Sequence, residues 1–132
     1  MDAVLISYLP TSLGEAAFVA GVREARERGL AAVLVNAPRR GAAVDRNMID
    51  EAATKSLVDR ARDAGVTLSV LQPVHEDPVA AISQVVEEGR YRLLVLGIRR
   101  RSQVGKLLLG STAQRLLLEL DLPILAVKSY ER

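Results

Sequence analysis

The sequence reads as an α/β fold: an open five-stranded parallel sheet with helices on both faces, Rossmann-like, in the strand order 3-2-1-4-5. Two observations lead there. Short apolar runs alternate with helical patterns from end to end, which is the signature of repeated βαβ units. The run Leu93-Leu94-Val95-Leu96 is apolar at every position, as a central strand covered by helices on each side requires. The chain has 132 residues, 49% hydrophobic and 26% charged, so one domain spanning 1–132 with an ordinary packed core is expected.

The first strand is Val4-Leu5-Ile6, followed by the turn Pro10-Thr11-Ser12. Ser12-Leu13-Gly14-Glu15 has the S-x-x-E form of a capping box, which places a helix start at Ser12. Phe18, Val22 and Ala25 fall on one face of that helix, and Gly29 supplies its stop. Ala32-Val33-Leu34-Val35 is the second strand, and the polar stretch from Arg39 to Arg46 reads as a flexible loop. A second amphipathic helix turns Ile49, Ala53, Leu57 and Ala61 inward and ends at Gly65, before a third strand over Val66–Leu71. Asp77 then caps a helix whose first residue is Pro78, which has no amide hydrogen to leave unpaired, and this helix runs to Gly89. The fourth strand, Leu93–Leu96, ends at Gly97. Ala113, Leu116, Leu117 and Leu120 form the apolar face of a last helix, and Pro123–Val127 form the fifth strand.

Ligands of open parallel sheets bind beyond the carboxyl ends of the strands, so the turns from strand to helix are where function is sought. The turn after the fourth strand runs from Gly97 to Ser111 and holds Arg99-Arg100-Arg101, Gly105-Lys106 and Gly110-Ser111-Thr112. Glycines let a backbone approach a bulky anion, a helix start offers unpaired amides and the positive end of its dipole, and arginine makes charge-assisted bonds to phosphate oxygens. With Arg39-Arg40 after the second strand, both basic runs share one rim. A solvated basic connection with glycines serving only its turns has the same composition, and spacing alone does not separate the two. The P-loop pattern fails at Arg100 and Leu107, and no tight glycine cluster follows the first strand at Leu9-Pro10-Thr11.

The loop resembles that of the universal stress protein family, whose ATP-binding members carry Gly, two residues, Gly, nine residues, Gly and then Ser or Thr between this strand and this helix. Gly97, Gly110 and Ser111 fall on that pattern, and the likeness extends through Ala113-Gln114 and the closing Asp121-Leu122-Pro123-Ile124-Leu125-Ala126-Val127. The resemblance implies a stress-response protein that binds an adenine nucleotide and acts as a regulatory module. The ligand it implies is ATP with Mg2+ held through the phosphates alone, or AMP or ADP. The implied binding residues are Leu9, Pro10, Ala37, Gly97, Arg99, Arg100, Gly105, Gly110, Ser111 and Thr112. Two positions depart from the family pattern. Arg100 stands where the second glycine falls, at a cost of about 1–2 kcal/mol if a left-handed backbone is needed there. Leu9 stands where ATP-binding members place an aspartate to hold the nucleoside. The alternative implied by these departures is a family member that binds no nucleotide and works as a dimeric scaffold. Relatives dimerise through the last strand, which makes Ile124, Ala126 and Lys128 the implied homodimer interface.

Other classes find less support. His75 with Glu76 and Asp77 reads as a loop beside a helix cap rather than a catalytic or metal cluster, and no G-x-S-x-G elbow is present. No catalytic residue is assigned, and any ATP turnover would be slow. Nucleic-acid binding lacks stacking platforms, since Phe18 reads as core and Tyr8, Tyr91 and Tyr130 are scattered. The two leucine-rich runs, Leu107–Leu109 and Leu116–Leu118, are assigned to core packing. There is no cysteine, the net charge is +2, and the sequence contains neither a secretory signal pattern nor a membrane-length apolar run, so the expected address is the cytoplasm, with no membrane partner.

Overall fold

A computed structural model describes residues 1–38, 44–100 and 107–130, with residues 44, 45, 100, 107, 108 and 130 described through their backbone alone. The elements in chain order are β1 (Asp2–Ser7), α1 (Ser12–Arg28), β2 (Ala31–Val35), α2 (Val44–Asn47), α3 (Glu51–Asp63), β3 (Leu68–Leu71), α4 (Pro78–Glu88), β4 (Arg90–Arg100), β5 (Leu107–Leu108), α5 (Ser111–Glu119) and β6 (Ile124–Tyr130).

The parallel sheet runs β3-β2-β1-β4-β6, which is the 3-2-1-4-5 order expected once the two-residue β5 is set aside. β1 pairs with β4 only as far as Ile6 opposite Val95, whereas β4 continues to Arg100 along β6. Beyond the end of β1, the exposed edge of β4 is taken by β5, antiparallel, with Arg99 opposite Leu108 and Arg100 opposite Leu107.

Alternation along each strand divides the core in two. Val4, Ile6, Leu34, Leu93 and Val95 face α1 and α3, where Phe18, Val22, Leu57 and Ala61 complete one cluster. Leu5, Val35, Leu94, Leu96 and Ile98 face α4 and α5, meeting Val79, Ile82, Val85 and Leu116. Helices therefore cover both faces, and β1 and β4 are buried through their centres.

Several boundaries differ from the sequence reading, each for a physical reason. The cap of α1 is Thr11, not Ser12: its hydroxyl accepts from the Gly14 amide at 3.3 Å, and Glu15 is drawn away to Arg60. β3 starts at Leu68 rather than Val66, because Gly65 takes a positive φ of 86° and the chain needs two residues to return to the sheet. β4 does not end at Gly97 but continues through it for three residues. The expected loop beyond Pro38 contains the one-turn helix α2 in its described part. Leu117 and Leu118 are not core: they are 41% and 85% exposed, and only Leu116 of that run is buried.

Candidate functional site

The carboxyl end of the sheet carries a cavity of about 460 Å3 between the ends of β1 and β4 and the start of α5. Its floor and sides are apolar, formed by Leu9, Leu13, Leu96, Ile98, Leu109 and Leu116. The polar residues in its lining are Ser7, Thr11, Arg99 and Thr112, with the glycines Gly97 and Gly110.

The wall on the β1 side is set by a tight turn. The Thr11 amide donates to the Leu9 carbonyl at 2.7 Å, spanning only Pro10. That same carbonyl rests on Gly14, where a Cβ would overlap it, so α1 starts in direct contact with the turn. The wall on the β4 side depends on Gly97. A Cβ there would lie 2.8 Å from the Leu13 carbonyl carbon, so this glycine serves the approach of α1 to β4 and not a flexible loop. The remaining wall is the start of α5. Gly110 is its N-cap at φ −66°, ψ 164°, with no side-chain cap, and its carbonyl accepts from the Gln114 amide at 3.0 Å. Any residue adopts that backbone, and among the described residues no atom lies within 4 Å of where a Cβ would stand. Glycine at 110 therefore keeps open the approach to the amides and positive dipole end of α5.

α5 is held in place from outside the cavity. The Arg115 guanidinium donates to both Asp77 oxygens at 2.9 Å and to Glu119 at 3.1 Å, while Asp77 also accepts from the Val79 amide at 3.1 Å as the N-cap of α4. These bonds to Arg115, with the cap, hold the Asp77 carboxyl below the usual carboxylate range.

Leu9, Gly97, Arg99, Gly110 and Thr112 all line this cavity. Pro10 and Ser111 are exposed beside it, the latter as the first residue of α5. Ala37 follows β2 and packs against the α4–α5 side of the core; it is not among the residues that line the cavity. Arg100 lies in β4, opposite Leu107 and Tyr130, in extended backbone, so the left-handed conformation feared for it does not arise. The side chain of Arg100 lies outside the described residues, as do Arg39, Arg40, Arg101 and Gly105, so the shared basic rim is seen only through Arg99. His75 is an exposed loop residue whose Nδ1 accepts from the Asp77 amide at 3.0 Å.

The apolar walls at Leu13, Leu96, Ile98 and Leu109 escaped sequence reasoning, because apolar residues near strand ends are indistinguishable from core until the turns are placed. So did Asn36. It is fully buried, its Nδ2 donates to the carbonyls of Tyr8 (3.1 Å) and Asn47 (3.0 Å), and its Oδ1 accepts from the Ile49 amide (3.1 Å) and Gln72 Nε2 (3.0 Å). One side chain ties the end of β2 to the turn after β1 and to the segment leading into α3. The signal for it was an amide residue at the end of an apolar strand, where burial demands such partners.

The sequence and the fold have counterparts among known proteins. The family model of the universal stress protein family matches residues 4–128. A universal stress protein of Mycolicibacterium smegmatis is 37% identical over 127 residues, covering 96% of this chain and 98% of the relative. The structure of a universal stress protein from Archaeoglobus fulgidus superposes with a TM-score of 0.77 at 27% identity, covering 97% of this chain and 98% of that one. A second structure from that organism, in complex with dAMP, has the same fold with a TM-score of 0.68 at 20% identity and the same coverage. With the family match over residues 4–128, the agreement with a relative along nearly the whole chain and the strand order in accord, the chain belongs to the universal stress protein family.

Proposed function

We propose that this protein binds an adenine nucleotide in the cavity between β1, β4 and α5 and acts as a nucleotide-dependent regulatory module. The observation that carries the reading is the open α5 N-terminus at Gly110, facing the same cavity as Thr112 and Arg99. Phosphate sits at the helix start, where unpaired amides and the dipole favour an anion, and Arg99 and the Thr112 hydroxyl add donors. The apolar walls receive the base. The cavity's volume lies within the usual range for small-molecule sites. A family structure in complex with dAMP supports an adenine nucleotide over other anions. ATP is the proposed ligand, with AMP and ADP as shorter variants. The described walls contain no carboxylate, so Mg2+ would be held through the phosphates and would supply charge neutralisation there.

Isothermal titration with ATP, ADP and AMP, each with and without Mg2+, tests the proposal directly. Heat and thermal stabilisation at micromolar to low-millimolar nucleotide are expected, and their absence at millimolar nucleotide defeats it. A second reading, a dimeric scaffold that binds no nucleotide, is favoured by Leu9, an apolar side chain at the mouth of the cavity. Nucleotide retained by protein purified without added ligand would argue against that scaffold.

A further inference from the structure

We infer that a second binding site, separate from the nucleotide cavity, lies between α1 and α3 and takes a small organic anion with a flat apolar body. A pocket of about 290 Å3 opens there on the face of the sheet covered by α1 and α3. Its apolar surface comes from Phe18, Val22 and Ala64, with Val19 as an outer lip that stands 51% exposed. Three arginines line it, Arg23, Arg26 and Arg60.

Arg60 is fixed. Its guanidinium lies over the Phe18 ring, 4.6 Å from the centroid, and is clamped by both carboxylate oxygens of Glu15, one of them at 3.0 Å. Glu15 balances its charge, so Arg60 serves as a fixed, planar wall of the recess rather than as the anion's partner. Arg23 and Arg26 differ. Among the described residues neither has an ion-pair partner: Glu24 is taken by Arg28, and Glu27, one turn from Arg23, does not reach it. Cations three residues apart on one helix face repel each other. Here they stand exposed beside Val19 and an apolar recess, placed so that an anion whose apolar part enters the recess bridges them. The recess has the size of one small ring system rather than of an extended chain, which favours a small molecule over a peptide. A carboxylate and a phosphate monoester satisfy the guanidinium groups alike, since both accept two parallel N–H bonds.

Titration of the full chain with 2-naphthoate, 2-naphthyl phosphate and the neutral 2-naphthalenemethanol, followed by amide NMR, tests this. Both anions should shift the signals of Val19, Val22 and Ala64, and the neutral probe should bind at least about tenfold more weakly. The ratio of the two anions identifies the source chemistry, carboxylate or phosphate. Replacing both Arg23 and Arg26 by Ala should weaken the anions by about tenfold or more. Val19→Asp, whose carboxylate stands one turn from Arg23 and competes with the ligand for it, should do the same while both arginines remain in place. Gly110→Val, at the other cavity, should leave the anions unaffected. Equal binding of the neutral probe, loss of binding only in Gly110→Val, or binding by an acidic peptide but by neither naphthyl anion would each overturn the inference.

Discussion

At the scale of single residues, two glycines that look alike in the sequence have opposite physical roles. Gly97 is enclosed, and a Cβ there meets the Leu13 carbonyl group. Gly97→Val should therefore push α1 off β4 and destabilise the fold by about 2–4 kcal/mol, read as a lowered midpoint in chemical denaturation. Gly110 has no described neighbour at its Cβ position and is conformationally ordinary, so Gly110→Val should cost about 0.5–1.5 kcal/mol, the loss on placing an apolar residue at an N-cap, and less than Gly97→Val. The same variant should weaken nucleotide binding by tenfold or more, about 1.4 kcal/mol, because the valine occupies the approach to the α5 amides. Undiminished affinity in stable Gly110→Val protein would place the nucleotide elsewhere. Asn36 is the third case. Asn36→Ala leaves the Ile49 amide without its partner in a buried position, at an expected cost of about 1–3 kcal/mol. Hydrogen exchange at Ile49 should quicken first, and unchanged exchange there would show that the tie is dispensable.

At the scale of elements, the strands and helices were legible from periodicity alone, because burial on alternate positions or on one helix face leaves a pattern that needs no tertiary knowledge. Thus Leu5, Leu94 and Leu96 fall to one face and Val4, Leu93 and Val95 to the other. The ends of elements were less legible. A glycine followed by Arg99-Arg100 reads as a loop, yet β6 supplies backbone partners that carry β4 through these residues. Leu117 and Leu118 read as core because α5 was given more contacts than it makes; it is anchored mainly by Leu116 and by the Arg115 tie to Asp77. That tie makes a pH prediction. Asp77 has its folded-state pKa lowered, first by the bond from Arg115, so its contribution is fully present above the ordinary carboxylate pKa and is lost as pH falls through the depressed value. Wild-type protein should lose stability below about pH 4 more steeply than Asp77→Asn, compared by denaturant melts from pH 6 to 3. Parallel curves would show that the exposed pair adds nothing.

At the scale of the whole molecule, the sheet ends on one side in β6, whose seven residues pair with β4 along one edge alone among the described residues. The apolar stretch Ile124-Leu125-Ala126-Val127 is only half-buried, although its alternate residues pack against both core clusters. A parallel-sheet edge of this length with unpaired amides and carbonyls is a template for another strand, and proteins that stay monomeric blunt such edges with charge, proline or bulges. Here the charge is confined to Lys128, which is exposed toward the carboxyl end of the strand, and proline precedes the strand rather than interrupting it. A second copy meeting this edge about a twofold axis pairs β6 with β6, antiparallel, and brings Ile124 and Ala126 of one subunit toward Lys128 of the other. Sedimentation velocity from 1 to 200 μM should then show a monomer–dimer equilibrium. Ala126→Arg should weaken the dimer about a hundredfold or more, by placing like charges against each other across the axis; because Ala126 also packs partly against the α4–α5 core, the variant's denaturation midpoint is measured alongside. A wild-type chain that remains monomeric at the highest concentration would mean that the half-buried edge is protected by its own twist, and the homodimer would have to be abandoned.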